Sequence, residues 1–437
     1  MRDIAVTLVI FSTLPFIFWR PYIGILVWTW IGFMNPHRLT WGFAYDMQFA
    51  LIVAIVTLVS FAISREPKKI PWTRESIVLL LFIVWMFVTT IFSEYPELAW
   101  LHMEKVAKIQ LMIFVTLMLM QSKERINLLV WVMALSLAFY GVKGGIFTIV
   151  NGGVYHVRGP EGSFIGGDNE MGLALVMTIP LLRYLQMSAR IVLVRHAMTA
   201  ALLLTAIAAI GSQSRGALVG IIAMGAFLWL KSRNKFFTMM IAAAGAALVI
   251  STMPQQWFDR METVKNYEQD DSAKGRINAW HMAFNLAKDR PLGAGFDGWQ
   301  PPMFARYAPV PDDVHDAHSI YFEVLGEHGF VGLGLFVALG MMTWGTASWV
   351  IKRARGAQQT RWAADLAAMV QVSLVGYASA GAFLGLAYFD FYYTLVAVVL
   401  LCKAVLVAGQ TTRNAELAGN DMPPGLIRPR AMPRRIG

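Results

Sequence analysis

The chain reads as an all-α integral membrane protein, and three features predict that class: an apolar composition, a train of apolar runs of membrane-spanning length, and basic residues gathered between alternate runs. Of its 437 residues 57% are hydrophobic and only 15% charged, with 15 Trp and 27 Phe, against about 25% charged in ordinary soluble domains. One globular core has no room for so much apolar surface. The formal charge of +10 does not indicate nucleic acid, because Lys and Arg cluster in short segments between apolar runs, where lipid headgroups supply the counter-charge. Cys402 is the one cysteine, which excludes an intrachain disulfide. The stretch after Met1-Arg2-Asp3 lacks an Ala-x-Ala cleavage site and carries Trp19-Arg20-Pro21, so it is expected to be retained.

A helix crosses the hydrocarbon core with about 20 apolar residues. Runs of that kind occupy 4–34, 47–63, 76–92, 106–120, 127–150, 170–187, 197–211, 217–231, 236–251, 327–350, 363–386 and 390–408, about twelve crossings. The run 4–34 is broken at Arg20-Pro21, and charge is used to set its parity. If it crosses once from a cytoplasmic N-terminus, the inside segments 64–75, 121–126, 188–196, 231–235, 351–362 and the tail hold 20 Lys and Arg. The short outside loops then hold only Arg38, Lys105, Arg158 and Arg215, the bias of the positive-inside rule. Both termini are therefore expected in the cytoplasm.

The predicted organisation is a transmembrane region over 1–251 with about nine helices, a loop domain over 252–326, three helices over 327–408, and a disordered basic tail over 409–437. Segments 93–105, 151–169, 212–216 and 252–326 fall outside together. No internal repeat is visible, and neither a Walker-type loop nor a dinucleotide fingerprint occurs.

Charge near hydrocarbon is costly and marks polar cavities or substrate paths. Arg215 sits in the tight turn Gly211-Ser212-Gln213-Ser214-Arg215-Gly216 between two helices. It either serves such a cavity or snorkels to the interface. Lys274-Gly275-Arg276-Ile277-Asn278-Ala279-Trp280 predicts a short helix through Asp289, followed by a turn at Pro291–Phe296. Near that helix's N-terminus Arg276 would add a planar fork for phosphate oxygens; the plainer reading pairs it with Asp270 or Asp271.

The segment from Asp312 to Gly329 is the densest polar cluster and carries His315, His318 and His328 of the 8 histidines. His318, Tyr321, Phe322 and Leu325 follow helical spacing, which predicts His318 on a helix face at the membrane boundary. A neutral imidazole there can take a proton from a hydroxyl. Metal ligation by His315, His318 and Asp313 or Asp316 lacks a zinc spacing, and a histidine merely hydrogen-bonded at an interface is the third reading. The glycines of Gly159–Glu170 would let backbone approach a ligand, with Arg158, Asp168 and Asn169 lining the same cavity; a plain glycine-rich connector is the alternative.

Together, Ser214-Arg215-Gly216, Gly275-Arg276-x-x-x-Trp280 and His318-Ser319-x-Tyr321-x-x-x-x-Gly326-Glu327-x-Gly329 resemble the O-antigen ligase and polymerase family of bacterial envelope glycosyltransferases. The Gly159–Glu170 segment is similar to the branch found beside exosortase systems, described as O-glycosylation ligases. The resemblance implies a GT-C-like bundle in the inner membrane that transfers a glycan from undecaprenyl pyrophosphate to a hydroxyl of lipid A core, on the periplasmic side and without a metal or other cofactor. It implies His318 as the catalytic histidine and Arg215 and Arg276 as the pyrophosphate-binding arginines. Arg158, Asp168, Asn169, His315 and Tyr321 are secondary candidates.

Overall fold

The computed structural model describes residues 1–232, 234–262 and 271–420. Arg233 and the tail arginines Arg428, Arg430, Arg434 and Arg435 of the charge argument lie outside these, as does Asp270. Among the described residues the chain is all-α. Its first half comprises α1 (Arg2–Trp19), α2 (Pro21–Met34), α3 (Phe49–Ile63), α4 (Arg74–Ile91), α5 (Pro96–Leu119), α6 (Lys123–Val150), α7 (Asp168–Ser188), α8 (Val192–Gly211), α9 (Arg215–Lys231) and α10 (Lys235–Thr252). The loop region holds α11 (Gln255–Glu262), α12 (Asp271–Asp289) and α13 (Pro301–Tyr307), and α14 (Ile320–Ala354), α15 (Arg361–Ala380) and α16 (Asp390–Asn420) complete the bundle. Nine of the described helices are long and apolar enough to cross a membrane, while α2 and α3 are shorter apolar helices. The chain is a multi-pass membrane protein, and every predicted apolar run lies on a helix.

Helix ends are set locally. Thr73 and Ser76 form a reciprocal capping box at the start of α4, Ser122 caps α6, and Ser214 Oγ accepts the amide of Ala217 at the start of α9, 3.2 Å away; each cap answers amides that have no partner within the helix. At one end of the bundle Arg125 forks onto Glu66 at 2.6 and 3.0 Å, and Gln121 Nε2 donates to Lys69 O at 2.8 Å. At the other, the amide of Glu94 donates to Ala294 O at 3.0 Å, and Gln213 Nε2 donates to Gly153 O at 2.9 Å. Arg260 Nη2, 3.0 Å from Asp168 Oδ2, joins the two pairs, so the four segments predicted to lie outside together do meet.

The first apolar run departs from expectation. Pro21 has no N–H to continue α1 and its ring disfavours helical backbone at Arg20, which is extended. The chain turns back there, and α1 and α2 form an antiparallel hairpin. Asp3 Oδ1 accepts the amides of Gly42 at 2.9 Å and Ala44 at 3.2 Å, while Tyr45 donates to Glu161 O. The Met1 end thus lies with the 151–169 and 252–326 segments. α16 starts at that end and runs away from it, Lys403 Nζ lying 4.0 Å from Glu75 Oε2 at the far end. The start of α1 and the Lys403 part of α16 lie at opposite ends of the bundle, which departs from the expected single crossing and shared side. A second pass in the first run moves the N-terminus and leaves the order of all later segments unchanged.

One further boundary shifts. α16 continues past 409 to Asn420, so the predicted tail begins inside a helix; 421–437 lie outside the described residues. The 252–326 region carries a small core of its own, Ala279, Met282, Leu286, Ala294, Met303, Phe304 and Tyr307, which allows it to hold shape above the bundle.

Candidate active site

α14 breaks at Gly329, whose φ of 65° and ψ of −170° suit glycine and strain other residues. The break frees the carbonyls before it, and the Pro291–Phe296 turn answers them: the amides of Ala294 and Gly295 donate to Gly326 O and Glu327 O, each at 2.9 Å. The Gly326-Glu327-x-Gly329 motif is therefore the point where the loop region docks on the membrane helix.

Above this dock a strap of chain, residues 308–319, lies along α12. Asn278 grips it with three hydrogen bonds, to Val310 O at 2.8 Å, to Asp313 O at 2.9 Å and from the amide of Val310 at 2.9 Å. Trp280 donates its indole N–H to Ala317 O at 2.7 Å and stacks on Phe322 at 4.9 Å with a 7° interplanar angle. Gly275 leaves the room His315 occupies, since a Cβ there would lie 2.7 Å from His315 Nδ1. Gly275, Asn278 and Trp280 are thus the residues of α12 on which this strap rests.

His318 stands between these grips, but not on a helix as its spacing suggested. α14 begins at Ile320, and His318 has φ 42°, a left-handed conformation that is rare and costly for a non-glycine residue. The clamps at Ala317 and Phe322 hold it there. Among the described residues its ring makes no hydrogen bond, and it is half-buried. Burial and then the nearby Arg276 guanidinium hold the imidazole below its ordinary pKa, with Asp316 opposing; the ring is neutral near pH 7 and able to accept a proton. Arg276 and His318 are thus brought together from α12 and the strap.

Arg215 starts α9, at a turn fixed by the Gln213 side chain, which donates to Gly153 O and Val154 O at 2.9 and 3.2 Å. The next residue, Gly216, packs on the short 310 turn Gly381–Phe383: a Cβ there would lie 3.2 Å from Ala380 O and 3.8 Å from Phe383 Cβ. That turn meets Ile320, whose Cδ1 would lie 2.7 Å from a Cβ at Gly381, and Phe383 lies 6.5 Å from Trp280. Gly216, next to Arg215, and Ile320, two residues after His318, accordingly flank one turn.

Of the secondary candidates, Tyr321 donates to Ala378 O at 2.9 Å and stands at the top of an apolar groove of about 330 Å³ between α14, α15 and α16, reaching Trp344 and Leu374. His315 Nδ1 lies 2.8 Å from Asp313 Oδ1, without the alignment of a hydrogen bond. Among the described residues no His, Cys, Asp and Glu group is arranged to hold a metal. Asp168 belongs to a different cluster, 2.8 Å from His156 Nδ1 and 3.0 Å from Arg260 Nη2. Its Oδ1 accepts the amide of Asn169, and Arg158 is exposed.

A second polar region went unassigned in the sequence. A cavity of about 440 Å³ is lined by His102, Lys105, Ser163, Glu170, Glu323 and Tyr388 among others. Behind it His102 Nδ1 lies 3.1 Å from Asp297 Oδ2, the Asp297 amide donates to Glu327 Oε1 at 3.1 Å, and Tyr388 donates to Glu327 Oε2 at 2.6 Å. The signal available was Glu323 and Glu327, two carboxylates one turn apart at the start of a membrane helix.

Compared with known proteins, residues 200–337 match the family model described as O-antigen ligase, and residues 1–190 match a family of unknown function. No curated protein matches the chain. The O-antigen ligase segment contains Arg215, Arg276, His318 and the whole dock at Gly329, and the match supports a member of the O-antigen ligase and polymerase family.

Proposed function

We propose that this chain is an O-antigen ligase, transferring a glycan from undecaprenyl pyrophosphate to a hydroxyl of lipid A core at the periplasmic face of the bacterial inner membrane. The observation that carries the reading is the clamping of His318, with a neutral imidazole, beside the guanidinium of Arg276. The positive-inside bias, which does not depend on the parity of the first run, supports the periplasmic assignment of this end.

In this reading the acceptor oxygen attacks the anomeric carbon from the face opposite the pyrophosphate. The sugar–phosphate C–O bond breaks with its electron pair, which leaves on undecaprenyl pyrophosphate, and His318 takes the acceptor's proton. A positioned base contributes about 10²–10⁴ in rate. Arg276 and Arg215 neutralise the charge developing on the leaving group through charge-assisted, bidentate hydrogen bonds. The donor bond is already activated, so the scheme needs no nucleotide, and no metal step is written into it. The apolar groove below Tyr321 suits a polyprenyl tail, which would hold the pyrophosphate at the level of the site.

The test is purified protein with labelled donor. Release of undecaprenyl pyrophosphate only when lipid A core is present, with inversion at the new bond and survival of exhaustive chelation, is the expected result. Glycolipid movement without bond cleavage would instead identify a transporter. Transfer to a growing glycan or to a protein in place of lipid A core would identify the polymerase or O-glycosylation ligase reaction.

A further inference from the structure

The cavity lined by Glu170 and Glu323 continues into a groove of about 620 Å³ between α2, α3 and α5, the two sharing Lys105, Ser163 and Phe164. The groove's lower wall is apolar, with Leu51, Ala54, Leu58 and Met112. Its head is polar. Lys105 Nζ sits 3.6 Å over the Phe164 ring. Glu323 spends one carboxyl oxygen on the amide of Ala387 at 3.0 Å, while its side chain lines the cavity across from Glu170. Asp390 lines the groove at its head, only 4% exposed, and its Oδ1 has no hydrogen-bond partner among the described residues. A buried acceptor left without a donor costs free energy unless a ligand supplies one.

Carboxyl oxygens accept hydrogen bonds from hydroxyls, an ammonium donates to ring and hydroxyl oxygens, and an aromatic face packs on the C–H face of a pyranose. Both volumes lie within the range of about 300–1,000 Å³ found for small-molecule sites. The groove is separate from the one below Tyr321, since the two share no lining residue. Glu323 lies five residues beyond His318 on the chain, so a sugar in the cavity sits beside the candidate active site.

We propose that the cavity and this groove form one site for a sugar-headed membrane amphiphile, its hydroxyls held by Glu170, Glu323 and Asp390 and its tail seated between α2, α3 and α5. The occupant is the acceptor glycolipid, since the groove below Tyr321 is given to the donor; in this the assignment rests on the ligase reading.

The test titrates the full chain, in phosphatidylcholine nanodiscs, with radiolabelled dodecyl maltoside below its micellar concentration. Saturable binding above that of empty discs is expected, without competition from dodecyl phosphocholine. Glu170→Gln and Glu323→Gln, on different helices, should each weaken binding about tenfold while melting like the wild type, and His318→Ala should bind normally. Binding that both Gln variants retain in full, or that dodecyl phosphocholine abolishes, overturns the site. In transfer assays Glu170→Gln should raise KM for the acceptor alone; a rise for the donor alone overturns the acceptor assignment. The binding needs no turnover. Specific maltoside binding by a chain that never releases undecaprenyl pyrophosphate would sink the ligase reading and leave the sugar site standing, and full transfer without such binding would do the reverse.

Discussion

Trp280 donates its indole N–H to the carbonyl of Ala317, and this one bond fixes the backbone immediately before His318. The residue it positions is held in a left-handed conformation, so the bond bears on rate more than on folding. Trp280→Phe keeps an aromatic ring for the stack on Phe322 and removes the donor. A hydrogen bond of this kind contributes about 0.5–1.5 kcal/mol, and kcat is expected to fall up to about tenfold with little change in melting temperature. Initial rates at saturating substrate check this.

His318→Ala should abolish transfer while the protein remains folded and inserted, a loss on the order of 10²–10⁴ in rate. Near-normal transfer by the variant would remove the base assignment. Arg276→Lys and Arg215→Lys should also be damaging, because a point charge does not reproduce the planar fork.

The pH profile follows from the lowered pKa of His318. A base acts in its neutral form, so the rate should hold as pH falls toward the ordinary imidazole value of 6.5 and decline only below it. Arg276→Gln removes a positive charge that disfavours the imidazolium. The His318 pKa then rises, and the acidic limb of the profile should move to higher pH. Residual activity of that variant measured from pH 4.5 to 8 settles the direction; a limb that stays put would separate the titrating group from His318.

Gly329→Ala should be strongly destabilising. Its φ of 65° with ψ of −170° lies in a region almost confined to glycine and costs an L-residue about 1–3 kcal/mol, and the new Cβ would collide with Pro291 O and lever the loop region off α14. Gly334→Ala, in the same helix with open space around it, should be neutral or slightly stabilising. Melting temperatures of the two variants in one detergent compare them directly.

The hairpin of α1 and α2 predicts sidedness. Cys402 is buried, so an introduced cysteine reports alone. A membrane-impermeant maleimide should label Arg2→Cys, at the exposed start of α1, from the same side as Arg158→Cys, and Lys352→Cys from the other. Labelling of Arg2→Cys from the side of Lys352→Cys would contradict the hairpin.

Much of this was legible in the sequence because the signals are local. The length and apolarity of each run report a helix whatever its neighbours, and the basic segments sort the loops into two sets without any knowledge of packing. Arg215 and His318 stood out for a similar reason, as polar residues in short motifs near the edges of apolar runs, and Arg276 as a cation near the start of a short loop helix. The parity of 4–34 did not. Both readings put Arg20-Pro21 at a break, and what selects the hairpin is contact between distant residues: Ser60 Oγ donating to Ile17 O and Phe18 O at 2.9 and 2.8 Å, and Asp3 on the Gly42 and Ala44 amides.

The sequence by itself determined an all-α membrane protein, the order of its apolar segments, and the grouping of its loops, since these follow from how apolar side chains and charges partition between lipid and water one segment at a time. Only the tertiary structure decided that His318 lies off the helix whose spacing it shares, that Gly326-Glu327-x-Gly329 is a docking point, and that Glu170, Glu323, Lys105 and Asp390 face a common space. Those residues come from α7, α14, α5 and α16. No periodicity within one helix records which others it will meet, because that choice is made by packing and by the hydrogen bonds that buried polar groups require.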